Sequence, residues 1–184
     1  KPLPDSEIIG FEPSPENFKI LQKNVKENKL PRVKVFNFAL SNKVGEINLH
    51  VSFEENDPWT WGDKIIYNMW GDEDNDKKVT VKAVLLSNYI TKPVDFLKMD
   101  IEGSEQMVLE EIEPKLSFIK EMVMEYHGTK TSINVNDFSV IRNILERNGF
   151  VVKSYTKDLR FTFPNFVANL RKTSSVFTIK ALKN

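Results

Sequence analysis

Apolar and polar positions along this chain follow two rhythms, and their order predicts an α/β fold. Glu7–Phe11 carries a short apolar run of the length of a buried strand. Ser14-Pro15-Glu16 then opens a helix: serine can cap, proline suits the first helical position, and glutamate favours the positive end of the helix dipole. Phe18, Leu21 and Val25 share one face at i, i+3 and i+7, and the helix should end near Asn28-Lys29, before Pro31. Val33–Leu40 is again rich in strand formers, and Ser41–Gly45 turns the chain. Glu46–Phe53 alternates with period two, as does Val79–Leu85, so the pair predicts a hairpin-like arm.

Residues 54–78 break both rhythms. They hold all three tryptophans, Trp59, Trp61 and Trp70, and an acidic-polar stretch, Gly71–Lys78, and they read as an insertion or long loop. Asp72, Asp74 and Asp76 alternate as in a calcium loop, but the glycine and closing glutamate of such a loop are missing, so a charged turn is expected. Beyond it, Val94–Met99 is a buried strand, and Gly103 or Ser104 opens a helix that runs to about Ile112 and stops at Pro114. Phe118–Glu125 is another strand. Asp137–Asn148 is a helix with Phe138, Ile141 and Leu145 on one face, and Gly149 sits where a helix ends. Phe150–Tyr155 and Val176–Leu182 are the final strands. Alternating strands and helices predict one domain over 1–184, with a mostly parallel sheet and helices on both faces.

Composition narrows the partners. Lys+Arg and Asp+Glu stand at 26 each, so no net field draws nucleic acid or an anionic membrane. There is no cysteine, which excludes disulfides and cysteine-based metal sites. No run approaches the roughly 18 apolar residues of a membrane span. The first residues lack the apolar core of a signal peptide and an initiator methionine. A cytoplasmic location is expected, with a natural start upstream of Lys1.

Acids at strand ends are the candidate chemistry. Glu12 follows the first strand, where a carboxylate can accept from both hydroxyls of a ribose; the alternative is a solvated acid at a helix start. Asp100-Ile101-Glu102-Gly103-Ser104-Glu105 closes the strand Val94–Met99. Asp100 and Glu102 should project to the same side, with Gly103 allowing a sharp turn. One acid could orient or deprotonate a nucleophile, and two could hold a hard cation through oxygen. Glu105 reads as a first-turn acid stabilised by the helix dipole. His127, in Glu125-Tyr126-His127, ends the next strand as a general base, a metal ligand or a polar residue bonded to backbone. The tryptophans either wall a substrate pocket or pin the long loop. No metal ligand set is assigned.

These residues resemble the FkbM-type family of S-adenosylmethionine-dependent methyltransferases. The matching pieces are Gly10–Asn17, then Asn37–Ser41 with Gly45 after it, then Val94–Glu105, and Glu125-Tyr126-His127, four separated motifs in the family's order over roughly residues 8 to 127. The resemblance implies a class I methyltransferase fold, a Rossmann-like three-layer sandwich with a seven-stranded sheet, parallel except for a reversed C-terminal strand. It implies S-adenosylmethionine as cofactor and O-methylation of a small-molecule or sugar hydroxyl. Glu12, flanked by Phe11 and Pro13, matches the acid that holds the cofactor ribose. Ala39, with Phe38 and Leu40, matches the segment beside the adenine. Asp100 matches the acid near the methyl-transfer centre, with His127 a second candidate there. Glu102, Trp59, Trp61 and Trp70 are candidates for the substrate side.

The family's first strand and glycine-rich loop should precede Glu12 by about two dozen residues, beyond the start of this sequence. Leu86-Ser87-Asn88 departs from the Leu-Asp usual in the family, so no role is carried to that position. Two rival readings are a nicotinamide-dependent oxidoreductase, whose ribose acid looks alike, and a non-catalytic protein that retains the fold. The Asp-x-Glu-Gly motif speaks against the first. Turnover on a hydroxylated substrate would exclude the second.

Overall fold

The computed structural model describes residues 6–52, 76–129, 135–155 and 174–183. β1 (Ile8–Phe11) leads into α1 (Pro15–Glu27), then β2 (Val33–Phe36) and the short β3 (Ala39–Leu40). The arm follows as β4 (Gly45–Ser52) and β5 (Asp76–Val84). β6 (Val94–Met99), α2 (Glu105–Ile112), β7 (Ile119–Thr129), α3 (Phe138–Arg147), β8 (Phe150–Tyr155) and β9 (Ser174–Lys183) complete the order.

The described strands form three hydrogen-bonded sheets. β1 and β2 pair in parallel, with Ile8 opposite Val33. β6, β7, β9 and β8 form a sheet in that spatial order. β6 and β7 are parallel, whereas β9 runs antiparallel to both β7 and β8, which is the expected reversal of the last strand. In the arm, β4 and β5 pair antiparallel from Gly45–Ala83 to Ser52–Asp76, as their alternation predicts. The strand-rich run Val33–Leu40 is split. Phe36 ends β2, and Ala39-Leu40 pair instead with Ala83-Val84 of the arm.

The main core lies under β6, β7 and β9. Leu109, Ile112, Leu116, Met122, Met124, Ile141 and Leu145 are all essentially sealed from solvent. Burying each such side chain stabilises the fold by about 1.5–3 kcal/mol. Pro114, expected to stop α2, lies in a 3-10 turn, Glu113–Phe118, that leads into β7. The end of α3 is tied to this turn: Arg147 donates to both oxygens of Glu113 at 2.6 Å, and Asn148 Nδ2 donates at 2.9 Å.

Two strands read as buried are less so than expected. Ile8 and Ile9 of β1 are 49% and 40% exposed, and Phe96 of β6 is 54% exposed. β1 is paired only with β2, and β6 only with β7, so these apolar side chains stand on strands with one edge unpaired among the described residues. Glu7, just before β1, joins Lys34 of β2 at 2.7 Å and Lys92, just before β6, at 2.5 Å. Phe11 also packs edge-on against Tyr89. The expected insertion at 54–78 falls almost wholly outside the described residues, and Trp59, Trp61 and Trp70 lie outside them. No helix among the described residues is long and apolar enough to cross a membrane.

Candidate functional site

The turn after β6 assembles the first set of polar groups. Glu102 adopts φ 50° and Gly103 φ 96°. Glycine takes this left-handed region without steric cost, whereas a glutamate there is strained. The turn brings Glu102 toward the end of β7, and α2 starts immediately afterwards. In α2 the buried residues are Glu105, Val108, Leu109 and Ile112, a stripe at i, i+3, i+4 and i+7. Glu105 is therefore on the core face of the helix and is completely buried.

A carboxylate in that position must be fully hydrogen-bonded or it destabilises the fold. Glu105 Oε1 accepts from the Gly103 backbone N–H at 3.0 Å and stands 3.1 Å from His127 Nδ1. Oε2 accepts from Asn136 Nδ2 at 2.7 Å. His127 comes from the far part of β7 and is itself buried. Its Nε2 faces Glu102 Oε2 at 3.6 Å. Asp100 lies just past the Met99–Met124 pair and binds Lys98 Nζ at 2.9 Å.

Charge dominates this corner. Burial opposes a charged imidazole, but the Glu105 hydrogen bond and the nearby charges of Glu102, Glu105 and Asp100 outweigh it and push His127 up to about 9. Burial raises Glu102 above the ordinary carboxylate range. His127 works against that rise, while Asp100, Glu105 and Glu125 add to it. As a cation, His127 donates from Nδ1 to Glu105 Oε1, which leaves Nε2 as the nitrogen that exchanges protons. Asp100, Glu102 and His127 offer donor atoms within 4.8 Å of one another, two oxygens and an imidazole, a composition that suits a divalent cation.

The second set sits at the end of β1. Glu12 is half-buried, and its Oε1 accepts from the Ser14 backbone N–H at 2.9 Å. The expected cap by Ser14 is absent: its side chain makes no capping bond, and the glutamate two residues earlier satisfies the Ser14 amide. Asn37 Nδ2 donates to the carbonyls of Glu12 at 2.8 Å and Pro13 at 2.9 Å, which fixes the path of the chain after β1. Beside it, Phe11, Phe36, Phe38 and Tyr89 form a chain of ring contacts, with centroids 5.7 Å apart for Phe11–Phe36 and 5.9 Å for Phe36–Phe38. Ala39 is buried in a small core with Leu49 and Val81, and Leu40 packs on the main core. A strand-end carboxylate beside half-buried aromatic faces suits a nucleoside: hydroxyls on the acid, a base on the rings.

The structure thus brings Asp100, Glu102 and His127 together, and groups Glu12, Phe11, Pro13 and Phe38. Phe11 and Ile101 both pack on the core cluster containing Met99 and Tyr126, which links the two sets. Glu105 is the expected first-turn acid of α2, and the structure adds that it is buried and bonded to His127. Val108, Leu109 and Ile112 were the available signal, because they put Glu105 on the apolar stripe. Asn136, also fully buried, had no sequence signal.

Parallel pairing in β1–β2 and β6–β7, a reversed β9 and acids at the strand ends define a class I methyltransferase-like α/β fold. The Methyltransferase FkbM domain matches residues 4–152, and the chain belongs to that family. Among curated proteins, Methyltransferase 1 of Beauveria bassiana (strain ARSEF 2860) is 26% identical over 172 residues. That match covers 81% of this chain and 64% of the relative, so the chain spans slightly under two thirds of its length. Among solved structures, the methyltransferase FkbM from Methylobacillus flagellatus KT superposes with a TM-score of 0.55 at 13% identity, covering 95% of this chain and 36% of that one.

Proposed function

We propose that the protein is an S-adenosylmethionine-dependent methyltransferase acting on the hydroxyl of a small molecule or sugar. The observation that carries the proposal is the buried Glu105–His127 pair, whose outer nitrogen faces the Asp100–Glu102 turn. Family membership supports the transfer of a methyl group. The carboxylate and aromatic set around Glu12 supports a nucleoside-bearing cofactor.

Glu12 would accept from the ribose hydroxyls, and Phe38, with the backbone of Leu40, would border the base. The cofactor, when bound, supplies an electrophilic methyl on a sulfonium. His127 Nε2 would take the proton of the acceptor hydroxyl, while Glu105 holds the ring and balances the imidazolium that forms. Asp100 and Glu102 would orient the hydroxyl. Holding donor and acceptor in line supplies most of the rate, because alignment removes entropy from the barrier.

The test is isothermal titration of the full-length protein with S-adenosylmethionine, followed by methyl-transfer assays on a panel of hydroxylated small molecules. Binding that weakens in Glu12→Ala, with transfer abolished in His127→Ala, is the expected result. Absence of S-adenosylmethionine binding would sink the proposal.

A further inference from the structure

We infer that Asn136 is a positioning residue that fixes the orientation of His127 through Glu105. The inference rests on the reading of His127 as the proton acceptor, and it concerns a residue that touches no reacting atom.

Asn136 lies in the segment before α3, nine positions beyond His127, and its residue is 0% exposed. Nδ2 donates to Glu105 Oε2 at 2.7 Å and to the backbone carbonyl of His127 at 2.6 Å. Its Oδ1 accepts from the Gln106 backbone N–H at 3.0 Å. Its own backbone carbonyl accepts from Tyr126 Oη at 2.7 Å. One side chain therefore holds both partners of the Glu105–His127 pair and locks the first turn of α2 beside them.

Asparagine suits this place better than its nearest relatives. Aspartate has no N–H to donate and would set a second carboxylate against Glu105. Glutamine is one methylene too long for a sealed site. The bond to Glu105 Oε2 leaves Oε1 directed at Nδ1, and the bond to the His127 carbonyl fixes the backbone from which the ring projects. This is how an outer partner selects the tautomer and basicity of a histidine. Among the described residues, the charged groups around the ring include Glu105 from α2, Asp100 and Glu102 from the preceding turn, Lys98 on Asp100, and Glu125 of β7 beside Glu102.

The experiment follows the His127 imidazole by NMR titration in the full-length protein, in Asn136→Ala and in a control, Gln106→Ala. The control removes the Gln106 Oε1 acceptor of the Asp137 amide at 2.7 Å, so it loosens the same turn without touching Glu105 or His127. Asn136→Ala should lower the His127 titration midpoint by about one pH unit, a tenfold change in proton affinity. It should also move the rising limb of the transfer rate against pH by the same amount, and Gln106→Ala should move neither. An unchanged midpoint in folded Asn136→Ala, or an equal shift in Gln106→Ala, overturns the inference. A shifted midpoint with an unmoved transfer profile would uphold the positioning of His127 and overturn its role as proton acceptor. If Asn136→Ala does not fold, Asn136→Ser keeps one donor in the site and is read by the same titration.

Discussion

Glu105 Oε1 stands 3.1 Å from His127 Nδ1, although the two residues are 22 positions apart and come from a helix start and a strand end. Both are buried, so the pair is held in a low-dielectric site where each charge depends on the other. Glu105→Gln keeps the shape but removes the charge that balances a protonated ring. Methyl transfer should fall by about 10²–10⁴-fold, the usual range for disabling a general base. The measurement is kcat at saturating S-adenosylmethionine, with circular dichroism to show that the variant is folded.

The same pair predicts a pH profile. His127 titrates near 9, above its unfolded value of about 6.5. The ring is a cation at neutral pH and accepts a proton only after losing that one. Transfer should therefore rise with pH and level off above about 9. Stability runs the other way. A raised folded value contributes stability that is fully present below the unfolded value and is lost as pH rises from about 6.5 through 9. Thermal melts across that window should show the melting temperature falling as the transfer rate climbs, and His127→Gln should flatten both trends.

Glu12 has two jobs in this arrangement. It accepts the Ser14 amide at the start of α1, and it is the proposed ribose acceptor. Glu12→Gln keeps an oxygen for Ser14 but loses the charge. It should weaken S-adenosylmethionine binding by about ten- to a hundredfold, the worth of a charge-assisted hydrogen bond, and barely change stability. Calorimetric titration of the variant checks the first, and denaturant unfolding the second.

Gly128 sits beside Tyr126 on β7, and a Cβ added there would overlap the Tyr126 ring and hydroxyl. That hydroxyl holds the Asn136 carbonyl, so the clash reaches the site directly. Gly128→Ala should cost about 1–3 kcal/mol, the range for overpacking a tight core, and it should slow transfer as well. Chemical denaturation and turnover measured together test the coupling.

Metal removal gives a separate check. Asp100 is already paired with Lys98, and Glu102 faces His127. Dialysis against EDTA should therefore leave the transfer rate unchanged. A loss restored by magnesium or manganese would show that the Asp100–Glu102–His127 donors hold a cation instead.

Much of this was legible along the chain because periodicity reports which face of an element is buried. The alternation in Glu46–Phe53 and Val79–Leu85 was enough to predict the β4–β5 arm, and Gly149 beyond Arg147 marked the end of α3. Asp100, Glu102 and His127 were legible as strand-end polar groups, and the structure brings them together. Glu105 was not, because the dipole reading treats a first-turn acid as solvated, whereas this one shares the apolar stripe of Val108, Leu109 and Ile112.

By itself the sequence determined the order of strands and helices, the reversed last strand through its family resemblance, and the chemistry available at the strand ends. These follow from local spacing and from side-chain type. Tertiary structure alone decided which acid serves His127. Glu102 and Glu105 are three residues apart, and local spacing does not say which of them meets which ring nitrogen. The left-handed turn at Glu102 and Gly103 sends one carboxylate to Nε2 and buries the other against Nδ1. It also decided that Asn136, from a segment with no motif, completes the pair. A buried carboxylate must find donors wherever the fold brings them, and local pattern does not encode that meeting.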